Sequence, residues 1–154
     1  MQDHRPGRMK GARTVSHSDP ESDRSRFEAE IRAIEADYDD AWGCADLTRL
    51  MSVLEDDIVI LDPRGGTSVG ASEARRLLGE FLAGEGAGST HKSRCKRVSF
   101  VTDDVALFDG QATISGPNLQ PPIVHDFTDV FVRRDGRWRI AHIRAYVYID
   151  AGAS

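Results

Sequence analysis

The chain has 154 residues, 40% of them hydrophobic and 29% charged, which predicts one globular domain with a complete hydrophobic core. The formal net charge of −5 argues against nucleic acid as a partner, because a nucleic-acid surface needs clustered Lys and Arg to bind phosphates. The sequence holds no run of about 18 apolar residues, so no membrane span and no membrane partner are expected.

The two ends of the chain are expected to lie outside the folded domain. Residues 1–17 are basic and hold too few apolar side chains to fold alone, which predicts a disordered basic arm. The arm lacks the apolar centre of a secretory signal, and the two cysteines, Cys44 and Cys95, have no CxxC or metal-site spacing. We therefore expect a reduced, cytoplasmic protein with one domain over residues 18–150 and a tail at 151–154.

A long amphipathic helix is predicted to begin at Ser18-Asp19-Pro20-Glu21, since a capping side chain, a proline suited to the first helical position and early acidic residues are typical of a helix start. One apolar stripe recurs at helical spacing along it: Phe27, Ile31, Ile34, Tyr38, Ala41 and Trp42. Glu28, Glu35 and Asp39 lie away from the centre of that stripe. The Tyr38 ring should be buried with its hydroxyl hydrogen-bonded, either to a core carbonyl or to a ligand.

The remaining pattern predicts an α+β fold. A short helix capped by Asp46 precedes a strand at residues 58–61, and Gly70-Ala71-Ser72-Glu73 opens a third helix with Ser72 as its cap. Four strands are expected at about 91–101, 105–115, 124–133 and 137–148, the last two joined by the hairpin signal Asp135-Gly136. The proline-dense segment 116–122 is typical of a lid, an interface or an inert hairpin extension. Three helices should thus cover one face of a curved, mostly antiparallel sheet.

The most informative local feature is the end of the first strand, Leu61-Asp62-Pro63. A carboxyl group at the edge of an apolar layer is a candidate proton shuttle, and the proline would stiffen the backbone that carries it. The competing interpretation is a simple turn, because Asp and Pro often end strands for conformational reasons.

The order of elements resembles a known family. A helix, a short helix, a strand ending in Asp62-Pro63, a third helix and four strands closing on Gly136-Arg137-Trp138-Arg139-Ile140 look like the nuclear transport factor 2-like superfamily, in its SnoaL-like branch. The resemblance covers about residues 27–148. It implies a cone-shaped α+β barrel that encloses a pocket, and a homodimer formed through the outer face of the sheet. It specifies fold better than activity, because one fold hosts many chemistries.

A narrower resemblance, to the ketosteroid isomerases, rests on an alignment without gaps over residues 36–63. Tyr38 falls on the oxyanion-hole tyrosine of that family, Asp62 on its general base and Asp129 on its protonated aspartic acid. The resemblance implies that Asp62 moves a proton between two carbons while Tyr38 and Asp129 bind the oxyanion. Asp129 lies in phase with Phe127 and Phe131, where desolvation would raise its pKa. A structural carboxylate is the alternative for Asp129.

Other strand residues are candidates for the substrate pocket. Asp109 and Gln111 share a polar face with Thr113, while the opposite phase of that strand is apolar, and the sequence leaves open which face lines the cavity. By alternation, the last strand places one set of side chains on a single face: Trp138, Ile140, His142, Arg144 and Tyr146. His142 is a candidate acid–base group and Arg144 a candidate anion anchor, or both are structural. The remaining substrate-binding candidates are Trp42, Phe81, His91, His125 and Phe127.

These observations lead to a hypothesis of function. We expect a cofactor-independent isomerase or cyclase that acts on a small, carbonyl-bearing, partly apolar substrate such as a polyketide intermediate. The alternatives are an epoxide hydrolase-like site built from Asp62, Arg144 and Asp129, and a non-catalytic dimeric module that binds a ligand. No metal is expected, because His91, His125 and His142 lack the spacing of zinc motifs.

Overall fold

A computed structural model describes residues 19–149, which form three helices and six strands. The helices are α1 (Pro20–Gly43), α2 (Leu47–Ser52) and α3 (Ala71–Ala83). The strands are β1 (Leu54–Leu61), β2 (Thr67–Val69), β3 (Thr90–Thr102), β4 (Val105–Gly116), β5 (Leu119–Arg134) and β6 (Arg137–Tyr146). The predicted order of elements is confirmed, with β2 as an additional short strand. The predicted Ser72 cap was wrong, because α3 already begins at Ala71 and its N-cap is Gly70. The expected basic arm at 1–17 and tail at 151–154 lie outside the described residues.

The long helix α1 supplies much of the core. Asp19 caps it by accepting a hydrogen bond from the Glu21 backbone N–H at 3.2 Å, and Pro20 occupies its first turn. The buried face carries the apolar stripe that the sequence predicts, but it also includes Glu35, which is only 4% exposed. Placing Glu35 away from the stripe was therefore wrong. Because Glu35 lies four residues after Ile31, the two side chains are on the same face of α1.

The sheet is open and mixed. Its strand order is β2-β1-β6-β5-β4-β3, and only β1 and β6 among these neighbours run parallel. The α+β architecture with helices packed on a curved, mostly antiparallel sheet is confirmed, but β2 and β3 are free edges, so the barrel does not close. The largest fully buried side chains, from both layers, are Ile31, Leu50, Ile58, Phe131 and Ile140. No helix within residues 19–149 has the length and apolar character needed to cross a membrane.

A bulge in β6 reverses the facing of its second half. Val130 pairs with His142 while the next residue, Phe131, pairs with Ile140, so Ala141 is an extra residue in the strand. Before the bulge, Trp138 and Ile140 are buried against the helices. Beyond the bulge, Ile143 and Ala145 are the residues on the concave side.

The bulge turns three predicted site residues to the outer face of the sheet: His142, Arg144 and Tyr146. Their assignment to the cavity was therefore wrong. Arg144 pairs across the ladder with Thr128, whose hydroxyl is also on that face, and is exposed. Strict alternation from Trp138 predicted the opposite, because the sequence does not show an inserted residue.

One face of β4 packs under the helices and the other lies on the outer side of the sheet. Its buried positions are Ala106, Phe108, Gly110, Ala112 and Ile114. Asp109 and Gln111 therefore lie on the outer face, and their assignment to the pocket was wrong. Asp109 accepts hydrogen bonds there from Thr128 Oγ1 at 2.6 Å and Arg97 Nη2 at 3.0 Å. The polar phase of β4 thus lies on the outer face, while its apolar phase packs under the helices.

Candidate active site

A cavity of about 240 Å³ lies between the helices and the concave face of the sheet. Its walls are mostly apolar and come from α1, α3, β1, β4, β5 and β6: Trp42, Ile60, Leu61, Pro63, Leu77, Leu78, Phe81, Ile114, Ile123, Ile143 and Ala145. Five polar or ionisable side chains also line it: Tyr38, Asp62, Arg64, His91 and His125. An apolar cavity with a few polar groups is typical of a small-molecule site.

A histidine–carboxylate pair is the principal chemical feature of this cavity. The Asp39 Oδ1 atom lies 2.6 Å from His91 Nδ1, and the carboxylate also accepts hydrogen bonds from Ser93 Oγ at 2.9 Å and the Ser93 backbone N–H at 2.7 Å. Ser93 fixes the carboxylate, and the carboxylate in turn orients the imidazole. A proton held on Nδ1 leaves Nε2 as the basic nitrogen. The arrangement is that of a general base with an orienting acid.

The sequence interpretation included His91 only as a binding residue and missed Asp39. The available signal was position: Asp39 directly follows Tyr38 on α1, so both side chains point from the same helical turn towards the start of β3. The pairing itself spans 52 residues of sequence and depends on how α1 packs against β3. Spacing along the chain does not reveal it.

Aromatic rings hold the His91 imidazole in place. The centroid of the ring lies 4.9 Å from that of Trp42, 5.4 Å from that of Tyr38 and 6.4 Å from that of His125. Trp42 is itself anchored, because its Nε1–H donates to Ser89 Oγ at 2.9 Å in a buried contact. The base is therefore preorganised by packing as well as by its carboxylate.

Tyr38 and His125 are neutral hydrogen-bonding groups in this cavity. Burial raises the pKa of Tyr38 above its ordinary value of 10, and the nearby Asp129, Glu35 and Asp39 carboxyl groups raise it further. Burial lowers the pKa of His125 to about 4, with the neighbouring His91 acting in the same direction. At neutral pH both side chains keep an N–H or O–H that can donate to a substrate oxygen or halogen.

Asp62 lines the cavity, but its carboxylate also closes the turn between β1 and β2. Its Oδ1 atom accepts hydrogen bonds from the backbone N–H groups of Arg64 at 2.8 Å and Gly66 at 3.0 Å. These two hydrogen bonds hold the backbone of the turn on the Asp62 side chain. The turn interpretation of this residue is therefore supported. The Arg64 guanidinium forms a bidentate ion pair with Glu85 in the loop after α3, with Nη2–Oε1 at 2.6 Å and Nη1–Oε2 at 2.8 Å.

The predicted triangle of Tyr38, Asp62 and Asp129 does not form around one point of the cavity. Tyr38 and Asp62 line the cavity, whereas Asp129 is 3% exposed and lies behind its wall, against Glu35. Phe127 is likewise in the core, where its ring stacks on Phe108 with centroids 5.8 Å apart. Their assignment to the substrate pocket was wrong.

The other pocket candidates are brought together as expected: Trp42, Phe81, His91 and His125. Within residues 19–149, no cluster of three or more His, Cys, Asp or Glu side chains is arranged to hold a metal ion.

Comparison with known proteins supports the fold. The SnoaL-like domain model matches residues 31–149. Among solved structures, LinA is 26% identical, with 81% of this chain and 88% of LinA covered and a TM-score of 0.73. Hexachlorocyclohexane dehydrochlorinase LinA-type3 from Novosphingobium barchaimii LL02 is 23% identical, with 81% and 88% covered and a TM-score of 0.71.

A third solved structure of the same fold is a protein of Novosphingobium aromaticivorans DSM 12444 provisionally identified as a scytalone dehydratase. It is 15% identical to this chain, with 84% and 89% of the two chains covered and a TM-score of 0.71. No curated protein sequence matches the chain.

Proposed function

The chain belongs to the SnoaL-like domain family, and we propose that it is a cofactor-free lyase acting on a small, largely apolar molecule. The reaction removes a proton from one carbon and expels a leaving group from the next. The observation that supports this most strongly is the His91–Asp39 pair at the wall of an apolar cavity of about 240 Å³. An oriented base at the wall of a mostly apolar cavity suits abstraction of a proton from carbon.

Each cavity group has a role in this reaction. His91 Nε2 takes the proton, and the electrons of the broken C–H bond form the new C=C bond while the leaving group departs with its own electron pair. Asp39 stabilises the imidazolium that forms. The Tyr38 hydroxyl and the His125 N–H donate hydrogen bonds to the departing oxygen or halide, where negative charge develops.

The names of two structural neighbours support elimination over other outcomes. A dehydrochlorinase removes HCl from its substrate and a dehydratase removes water. Both reactions join proton abstraction with loss of an adjacent group. Together with the His91–Asp39 pair in an apolar cavity, these names favour a halide or hydroxyl leaving group for this chain.

Isomerisation or cyclisation is the second candidate, and the position of Asp62 in the wall of the same cavity favours it. In that case Asp62 takes the proton from one carbon and returns the same proton to another, so no group is lost. The epoxide hydrolase-like arrangement does not assemble, because Arg144 lies on the outer face of the sheet, opposite the cavity.

A substrate panel tests the proposal. Wild-type protein and a His91→Gln variant are assayed with hexachlorocyclohexane, scytalone, a small β-hydroxy ketone and a β,γ-unsaturated ketone, following halide release and enone absorbance. We expect turnover of a halogenated or hydroxylated compound, with the variant slower by about 10²- to 10⁴-fold. Equal rates for the two proteins would refute the base assignment.

Asp62→Asn is the matched control, since it alters a carboxylate of the same cavity outside the dyad. Elimination by His91 predicts that this variant retains most of its activity. Selective loss of ketone isomerisation in Asp62→Asn would favour the second candidate. Absence of turnover with every compound, together with measurable ligand binding, would favour a non-catalytic module.

A further inference from the structure

A second group of carboxyls lies behind the cavity wall. Glu35 on α1 is 4% exposed and Asp129 on β5 is 3% exposed, and the two carboxyl groups are within hydrogen-bonding reach of each other. Glu35 Oε1 and Asp129 Oδ1 are buried and accept no hydrogen bond from any donor among the described residues. Two ionised carboxylates this close would repel each other in a medium that solvates neither, so the pair must share a proton.

The proton belongs mainly to Glu35. Burial raises the pKa of Glu35 well above its ordinary value, and the neighbouring Asp129 carboxyl raises it further. Burial also raises the pKa of Asp129, to about 6, although the hydrogen bond from Glu35 and the proximity of His91 oppose that rise. At neutral pH the Glu35 hydroxyl therefore donates to an ionised Asp129, and the pair carries one negative charge.

That charge acts electrostatically on the proposed base, since the proximity of His91 lowers the pKa of Asp129. Glu35 is one helical turn before Asp39, and both line a smaller cavity of about 180 Å³ together with Ser93. The titratable groups against His91 are Asp39 and Tyr38 from α1 and His125 from β5, and the Asp129 carboxyl of β5 acts on it electrostatically. Tyr38 and His125 are neutral, so Asp129 is the carboxylate that acts on His91 in addition to Asp39.

We propose that Glu35 and Asp129 form a positioning pair for the His91–Asp39 base, holding one negative charge behind it that stabilises the imidazolium formed during proton abstraction. This inference rests on the proposed function, because it assigns the pair a role in the same reaction. The Glu35 proton keeps the Asp129 carboxylate oriented and prevents a second buried charge. Fixed charge in a site of low dielectric acts strongly on a developing cation.

Two matched variants isolate that charge. Glu35→Gln keeps a donor beside Asp129 and leaves the negative charge in place, whereas the double variant Glu35→Gln/Asp129→Asn replaces both carboxyls by neutral amides of similar shape. An NMR titration then follows the His91 imidazole in both proteins and in the wild type. We expect the double variant to titrate about one pH unit lower than Glu35→Gln. Equal midpoints in the two variants would overturn the proposal.

A measurement on the wild-type protein covers the case in which the double variant does not fold. Carbon-13 titration of the side-chain carboxyls should show Asp129 ionising near pH 6, with Glu35 still protonated at neutral pH. Ionisation of both carboxyls at ordinary values would refute the shared proton. These titrations need no substrate. They therefore decide whether the pair shares a proton and whether its charge acts on His91, independently of whether the substrate panel supports the proposed lyase function.

Activity gives the final check where turnover is found. Relative to Glu35→Gln, the double variant should lose about tenfold in kcat with KM changed by less than about twofold, since the charge acts on the transition state. A change in KM alone, or a loss of folding stability without a change in kcat, would indicate a packing role and contradict the proposal.

Discussion

Replacing Asp129 by asparagine should remove much of the pH dependence of folding stability between about pH 4 and about pH 7. Burial raises the pKa of Asp129 from its ordinary 3.8 to about 6, so the folded protein binds this proton more tightly than the unfolded chain does. The resulting stabilisation is complete below pH 3.8 and is lost as the pH rises through about 6. A pKa change of this size corresponds to about 3 kcal/mol in the free energy of unfolding.

Urea denaturation across this pH range measures the effect. The wild-type free energy of unfolding should fall by about 3 kcal/mol more than that of Asp129→Asn as the pH rises. Asp103→Asn is the control, because the Asp103 side chain is 84% exposed, and it should follow the wild-type curve. Parallel curves for wild type and Asp129→Asn would show that Asp129 ionises normally, and would refute the argument for a buried pair.

Two further predictions concern packing and strand register. A Cβ on Gly86 would overlap the Phe81 ring, which lines the cavity, so Gly86→Ala should lower the free energy of unfolding by about 1–3 kcal/mol. Gly43→Ala, where a Cβ meets nothing within 4 Å, should be near neutral, and equal denaturation midpoints for the two would contradict this packing. Arg144→Ala should leave kcat/KM within about twofold, because Arg144 lies on the outer face; a loss of about 100-fold would contradict the bulge in β6.

The element order and the fold were predictable because their signals are local. The apolar stripe through Ile31 and Trp42, the cap at Asp19 and the Asp135-Gly136 turn each depend on a few neighbouring residues. Tyr38, too, was correctly expected to be buried. Periodicity and turn chemistry therefore specify the layers of this domain without any knowledge of long-range contacts.

The site was only partly predictable because it depends on long-range contacts and on one inserted residue. The Asp39–His91 pair forms only when α1 packs across β3, and nothing in the spacing of the two residues indicates it. Ala141 shifts the phase of β6, which moved Arg144 from the predicted cavity to the outer face. The burial of Asp129 was correctly expected, but its partner Glu35 was not identified, so its role was assigned to the cavity instead of the layer behind it.

The central claim is that His91, oriented by Asp39, is the base, and kcat for Asp39→Asn tests it most directly. An asparagine amide donates to Nδ1, which places the imidazole proton on Nε2, where the base must accept one. With the substrate identified by the panel, we predict a loss of about 10²- to 10⁴-fold in kcat for Asp39→Asn and little change for Asp62→Asn. Near wild-type turnover by Asp39→Asn, or an equal loss in both variants, would contradict the claim.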